Sequence, residues 1–125
     1  MAQILVVDDE PAICSTLSAM LKQAGHDVRV AGNGNEAMKL SLEGVLDLLI
    51  TDIHMPERDG LSIIREMRRE HPQLKIIAMT GSSLDEYLRW AGKLGADLVL
   101  AKPFSSQEML EAVARLLSKA DAPRQ

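Results

Sequence analysis

One cysteine, Cys14, stands in 125 residues. A disulfide needs two thiols and a thiolate metal cluster needs several, so both are excluded within this chain. There is no basic excess: 14 Lys and Arg face 18 Asp and Glu, a net charge of −4. Non-specific nucleic-acid and membrane-surface binders carry the opposite balance, so no direct nucleic-acid partner is expected. No apolar run approaches the roughly 20 residues of a membrane span, so no membrane insertion is expected either. The start, Met1-Ala2-Gln3, lacks the charged lead, long apolar segment and small-residue cleavage site of a secretory signal. A cytoplasmic location is the resulting expectation. Aromatics are scarce too: Tyr87, Trp90 and Phe104 are the only three.

What is present is an ordinary globular composition, 46% hydrophobic and 26% charged. The length suits a single domain over residues 1–125, with a core over about 3–118 and a polar tail over 119–125. Ile4-Leu5-Val6-Val7 reads as a strand buried on both faces, and Asp8-Asp9-Glu10-Pro11 ends it. Pro11 suits a first helical turn; Ile13, Leu17, Met20, Leu21 and Ala24 follow at helical spacing, and Gly25 supplies the stop. Residues 27–31 alternate as a second strand. Gly32-Asn33-Gly34 reads as a turn, and a second helix is expected over about 35–43, with Ala37 and Leu40 inward. Leu48-Leu49-Ile50 is too short for a helix and the right length for a buried strand; it runs into Asp52.

A third helix carries Leu61, Ile64 and Met67 and ends before His71-Pro72. Residues 74–79 make a fourth strand, ending at Thr80-Gly81. A fourth helix puts Leu84, Leu88, Ala91 and Leu94 on one face, with Gly95 as its cap. Residues 98–101 make a fifth strand, ending at Lys102-Pro103-Phe104. Ser105 or Ser106 caps a last helix that buries Met109, Val113, Leu116 and Leu117. Strand and helix alternating five times predicts an α/β fold, a doubly wound parallel sheet with helices on both faces.

In a parallel sheet all strand ends share one edge, where open α/β sheets place their chemistry. Asp8 and Asp9 follow the first strand, Asp52 the third, Thr80 the fourth and Lys102 the fifth. Taken singly, each has a plainer role: a helix cap, a loop residue, turn chemistry, a solvated lysine. Taken together they make a site. Two like charges about 4 Å apart repel by about 4 kcal/mol at an effective dielectric near 20, so clustered carboxylates need positive charge. Lys102 supplies one. A divalent cation is the natural second, and all-oxygen donors without cysteine favour a hard ion such as Mg²⁺. With the Thr80 hydroxyl these groups form a cradle for a phosphoryl group. Asp52 is then a nucleophile toward phosphorus, and an ionised carboxylate needs no general base.

Val6-Val7-Asp8-Asp9-Glu10, Asp52-Ile53-His54-Met55-Pro56 with Asp59-Gly60, Thr80-Gly81 and Lys102-Pro103-Phe104 occur in that order. On these pieces the chain resembles the receiver domain of two-component response regulators, of the stand-alone, chemotaxis-regulator-like kind. The resemblance implies a flavodoxin-like (βα)5 sheet of strand order 2-1-3-4-5. It implies that Asp52 accepts a phosphoryl group, with Mg²⁺, from the phosphohistidine of a sensor histidine kinase or histidine phosphotransfer protein. Asp9 and Asp52 would ligate Mg²⁺ directly with the main-chain carbonyl of His54, and Asp8 largely through water. Lys102 would pair with Asp52 or its phosphate. Thr80 would bond a phosphoryl oxygen and couple the chemistry to a surface of the fourth helix, fifth strand and last helix. A downstream protein target would read that surface, with a phosphorylation-dependent dimer as a further option. His54 and Ser82 would tune phosphate lifetime. Family members catalyse only their own phosphorylation and dephosphorylation.

One position departs from the pattern. Receivers usually carry an aromatic residue three before the lysine; here it is Val99, which has no ring to swing with the threonine. Tyr87, Trp90, Val99 and Phe104 form the candidate partner surface, with Trp90 as anchor or, more plainly, as an edge-of-core residue. Cys14 reads as a buried structural thiol. Arg65, Arg68 and Arg69, interleaved with Glu66 and Glu70, read as a solvated helix face. Two other classes stand beside this reading. A haloacid-dehalogenase-type aspartyl-phosphate phosphatase would turn over phosphate esters, with His54 at the offset of its acid–base group. A flavin binder would set an anionic cofactor against unneutralised carboxylates.

Overall fold

The computed structural model describes residues 1–53, 60–81 and 95–121. Five strands, β1 (Gln3–Val7), β2 (Asp27–Ala31), β3 (Leu48–Asp52), β4 (Lys75–Thr80) and β5 (Leu98–Ala101), form one parallel sheet. Their order is β2-β1-β3-β4-β5. Helices α1 (Pro11–Gln23), α2 (Gly34–Ser41), α3 (Gly60–Glu70) and a C-terminal helix (Ser106–Asp121) connect and cover them. The fourth helix expected from the sequence lies outside the described residues. Among those residues no helix is long and apolar enough to cross a membrane.

The apolar runs of β1, β3 and β4 have no polar side because both sheet faces are covered. Side chains alternate across a strand with period two, which splits the core in two. Ile4, Val6, Leu48, Ile50, Ile77 and Met79 pack with α1 and the C-terminal helix. Leu5, Val7, Leu49, Ile76 and Ala78 pack with α2 and α3. Some expected core positions are not fully buried: Ala24 is the exposed C-cap of α1, and Ile13, Met20, Leu40, Leu61 and Leu117 are half-buried.

Helix ends follow local chemistry. Glu10 is the N-cap of α1 and makes no side-chain capping bond, so neither Asp8 nor Asp9 is spent as a cap. At the other end the Gly25 N–H donates to the Lys22 carbonyl at 3.0 Å, and the His26 N–H to the Leu21 carbonyl at 3.1 Å. That Schellman closure needs the left-handed φ of 98° at Gly25. Asn33, read from the sequence as part of a turn, instead caps α2: its side chain accepts the Glu36 N–H at 2.9 Å. Ser105 rather than Ser106 caps the C-terminal helix, in a reciprocal box with Glu108 at 3.0 Å both ways.

Arg68 corrects the reading of a solvated arginine face. Its guanidinium donates to the carbonyls of Leu74, of Pro72 at 3.3 Å and of Gly95 at 2.7 Å, and pairs with Asp97 at 3.0 Å. The same Asp97 oxygen accepts the Ile76 N–H at 2.8 Å. One planar fork of donors therefore ties the end of α3 to the starts of β4 and β5.

At the same sheet edge the Ala2 N–H donates to His26 Nδ1 at 3.2 Å. Burial, and then the positive N-terminus, push His26 down from its ordinary 6.5. Between 6.5 and that lowered value the unfolded chain holds a proton that the folded chain does not, so stability falls as pH drops through this window. Urea unfolding at neutral pH and at pH below 6 measures it. The midpoint lost on acidification is expected to be smaller in His26→Gln than in wild type; equal losses would assign the effect to other groups.

Candidate functional site

Sheet register assembles the site. Val7 pairs with Thr51, so Asp8 leaves β1 beside Asp52. Asp52 pairs with Met79, which puts Thr80 one step beyond, and Thr80 pairs with Ala101, which puts Lys102 one step further. Alternation then selects the face. Asp8 lies two past Val6, Asp52 two past Ile50 and Lys102 two past Leu100, and all three of these apolar residues pack on the α1 side. Thr80 lies two past Ala78, which packs on the α3 side.

Asp8 and Asp52 are buried, at 1% and 4% exposure. With exposed Asp9 they bring one carboxylate oxygen each to within 4.8 Å of one another. Asp8 is held from several directions. Its N–H donates to the Ala31 carbonyl at 3.1 Å, its Oδ1 accepts the Glu10 N–H at 2.9 Å, and its carbonyl accepts the Cys14 S–H at 3.3 Å. Burial, and then the Asp8 charge, push the Cys14 thiol up, which keeps it protonated and structural, as expected.

Lys102 supplies the opposing charge. Its Nζ stands 2.8 Å from Asp8 Oδ2, 3.5 Å from Asp52 Oδ2 and 3.6 Å from Glu10 Oε1. The shortest contact is thus to Asp8; the pairing with Asp52 that the resemblance implies is also made, at 3.5 Å. Burial pushes the Lys102 pKa down, but the hydrogen bond to Asp8 and the charges of Asp52, Asp8 and Glu10 outweigh it, and the net shift is upward from 10.5. The ammonium is therefore charged at neutral pH. Its main chain is anchored by an N–H bond to the Thr80 carbonyl at 2.7 Å.

Gly60, the first residue of α3, backs directly onto the end of β3. Its N–H donates to the Ile53 carbonyl at 2.9 Å. A Cβ there would stand 2.8 Å from Ile53 Cα and still closer to the Asp52 carbonyl oxygen. Asp59-Gly60 was visible in the sequence as one piece of the ordered motif, but the close approach was not.

Three converging carboxylates, of whose charge Lys102 offsets one unit, form an all-oxygen donor set suited to a hard dication. His54, Ser82, Tyr87 and Trp90 lie outside the described residues. Val99 is half-buried on the α2–α3 face of the sheet, the face of Thr80, whereas Phe104 is half-buried on the α1 face. These two members of the expected partner surface therefore pack on opposite cores. Phe104 joins Ile13, Leu17 and Met20 in lining a groove of about 440 Å³ that also borders Glu10 and Lys102. Glu10 is the site residue that sequence reasoning passed over; its place directly after Asp9 was the available signal.

Comparison with known proteins agrees with this geometry. The chain is 36% identical over 122 residues, 98% of its length, to the DNA-binding transcriptional regulator NtrC of Azospirillum brasilense. It spans 25% of that relative's length. Among solved structures it is 38% identical to the response regulator TrrA of Thermotoga maritima, solved in complex with Mg²⁺–BeF. That match covers 93% of this chain and 99% of the other, with a TM-score of 0.83. It is 29% identical to the chemotaxis protein CheY4 of Vibrio cholerae over 93% of this chain and 98% of that one, with a TM-score of 0.88. The model of the response regulator receiver domain matches residues 4–114. A match of that extent, with the acidic strand ends and Lys102 in place, makes this chain a phospho-accepting member of the response regulator receiver domain family.

Proposed function

We propose that Asp52 is the phospho-acceptor and that it takes its phosphoryl group from a phosphohistidine, on a histidine kinase or a histidine phosphotransfer protein. The observation that carries this reading is the end of the central strand: a nearly buried Asp52 with Asp8 and Asp9 oxygens within 4.8 Å and Lys102 at 3.5 Å. Asp8, Asp9, Asp52 and the His54 carbonyl are the groups that would hold Mg²⁺. When bound, it supplies charge neutralisation for carboxylates and phosphoryl oxygens. The TrrA complex with Mg²⁺–BeF supports that choice of ion.

An Asp52 carboxylate oxygen attacks phosphorus in line. The P–O bond forms as the P–N bond of phosphohistidine breaks, and its electron pair returns to the imidazole nitrogen. Lys102 faces the acceptor with a fixed positive charge, so the developing phosphoryl charge meets an ammonium already in place. Thr80, at the next strand end, bonds a phosphoryl oxygen. Val99 lies on the same sheet face, so Thr80 transmits its movement through aliphatic packing rather than through a rotating ring. His54 and Ser82 tune the phosphate lifetime. The phosphorylated state is read by a downstream protein at a surface that includes β5 and the C-terminal helix.

Intact mass after incubation with a small phosphodonor tests the assignment. Wild type is expected to gain one phosphoryl adduct, dependent on Mg²⁺, and Asp52→Ala to gain none. An adduct retained in Asp52→Ala would move the acceptor elsewhere, and an unlabelled wild type would overturn the proposal.

A further inference from the structure

We infer that Glu10 is a specificity-determining residue of this site, a negative gate held at its mouth by Lys102 that disfavours highly anionic small phosphodonors. The inference rests on Asp52 being the phospho-acceptor. Glu10 differs from the other carboxylates in placement. Its side chain is 63% exposed, whereas those of Asp8 and Asp52 are 0% and 6% exposed. It stands outside the converging Asp8–Asp9–Asp52 group and makes no capping bond to α1. What it faces is Lys102, at 3.6 Å.

Its backbone is held and its carboxylate is paired with Lys102. The main-chain N–H is bonded to Asp8 Oδ1 at 2.9 Å, and Pro11 restricts the backbone that precedes it. At the other end the carboxylate faces the Lys102 ammonium in a solvent-exposed ion pair. Glu10 and Lys102 both border the groove beside the site, so a donor entering over Lys102 passes the Glu10 charge. Because that charge faces solvent, it acts on anions arriving from solution and is screened by salt. A phosphohistidine brought in by a protein carries its own docking contacts and is less sensitive to a single mouth charge.

The discriminating probes are acetyl phosphate, a dianion near neutral pH, and phosphoramidate, which carries one unit less negative charge. Transfer to Asp52 releases acetate from the first by P–O cleavage and, from the N-protonated monoanion of the second, neutral ammonia by P–N cleavage, which then takes up a proton from water. In each case the electron pair leaves with the departing group. Rates are read by intact mass under saturating Mg²⁺, so that a changed metal affinity does not enter. Glu10→Gln is expected to accelerate labelling by acetyl phosphate about three- to tenfold at low salt, and labelling by phosphoramidate clearly less. High salt should collapse the difference, and Glu10→Asp should stay near wild type. Equal acceleration with both donors, acceleration that survives high salt, or none at all would each overturn the gate. A wild type labelled by neither donor would instead overturn the acceptor assignment, and this inference with it.

Discussion

Gly60→Ala is expected to destabilise the protein by about 3 kcal/mol, the upper end of the range for forcing a methyl group into packed structure. The added carbon would stand 2.8 Å from Ile53 Cα and closer still to the carbonyl oxygen of Asp52. These neighbours are main-chain atoms at the end of a strand paired on both sides, so no side chain can rotate away. Either α3 lifts off the sheet or the end of β3 shifts. The first outcome opens the core formed by Ile63, Ile64 and Met67; the second moves the Asp52 carboxylate. Urea unfolding measures the loss of stability, and calorimetric titration with Mg²⁺ reports whether the carboxylates still converge. A variant within about 0.5 kcal/mol of wild type, the usual scale of an innocuous surface change, would mean that the approach is looser than the geometry indicates.

Lys102→Met is expected to cost about 3 kcal/mol in metal-free protein, because it keeps the apolar stem but leaves the buried Asp8 charge without its 2.8 Å partner. The two side chains are 16% and 0% exposed, so water offsets little of that loss. The same variant should bind Mg²⁺ about threefold more tightly or better, since a fixed positive charge next to the carboxylates no longer opposes the cation. Stability and affinity therefore move in opposite directions, and excess Mg²⁺ should restore more stability to the variant than it adds to wild type. Thermal unfolding with and without Mg²⁺ reads both. Unchanged metal-free stability would show that some other group offsets Asp8, and unchanged affinity would show that Lys102 does not face the cation.

The charged residues of the site were legible because each sits at a place that local rules mark. Asp8, Asp52 and Lys102 each follow a short apolar run, and runs of that kind make buried parallel strands whose ends share an edge. A serine cap was likewise visible, but the choice between Ser105 and Ser106 stayed open until the reciprocal bonds with Glu108 selected Ser105. Asn33 was missed because the flanking glycines make an equally good turn, and only the bond to Glu36 distinguishes the two.

The rest depended on the tertiary structure. The bond from Lys102 to Asp8 spans 94 positions in sequence, and which of three carboxylates receives the ammonium depends on register and the path of the chain beyond β5. Arg68 looked solvated because its partners are mostly main-chain carbonyls, which every residue has and no sequence pattern distinguishes. Gly60 stood in the sequence only as part of a motif, because its constraint is a neighbouring strand rather than its own dihedral angles. By itself the sequence determined the strands, their common edge and the chemical types gathered there, since hydrophobic period and chain order are local. Only the folded chain decided which charges touch and which backbones meet, because those distances follow from packing between segments far apart in sequence.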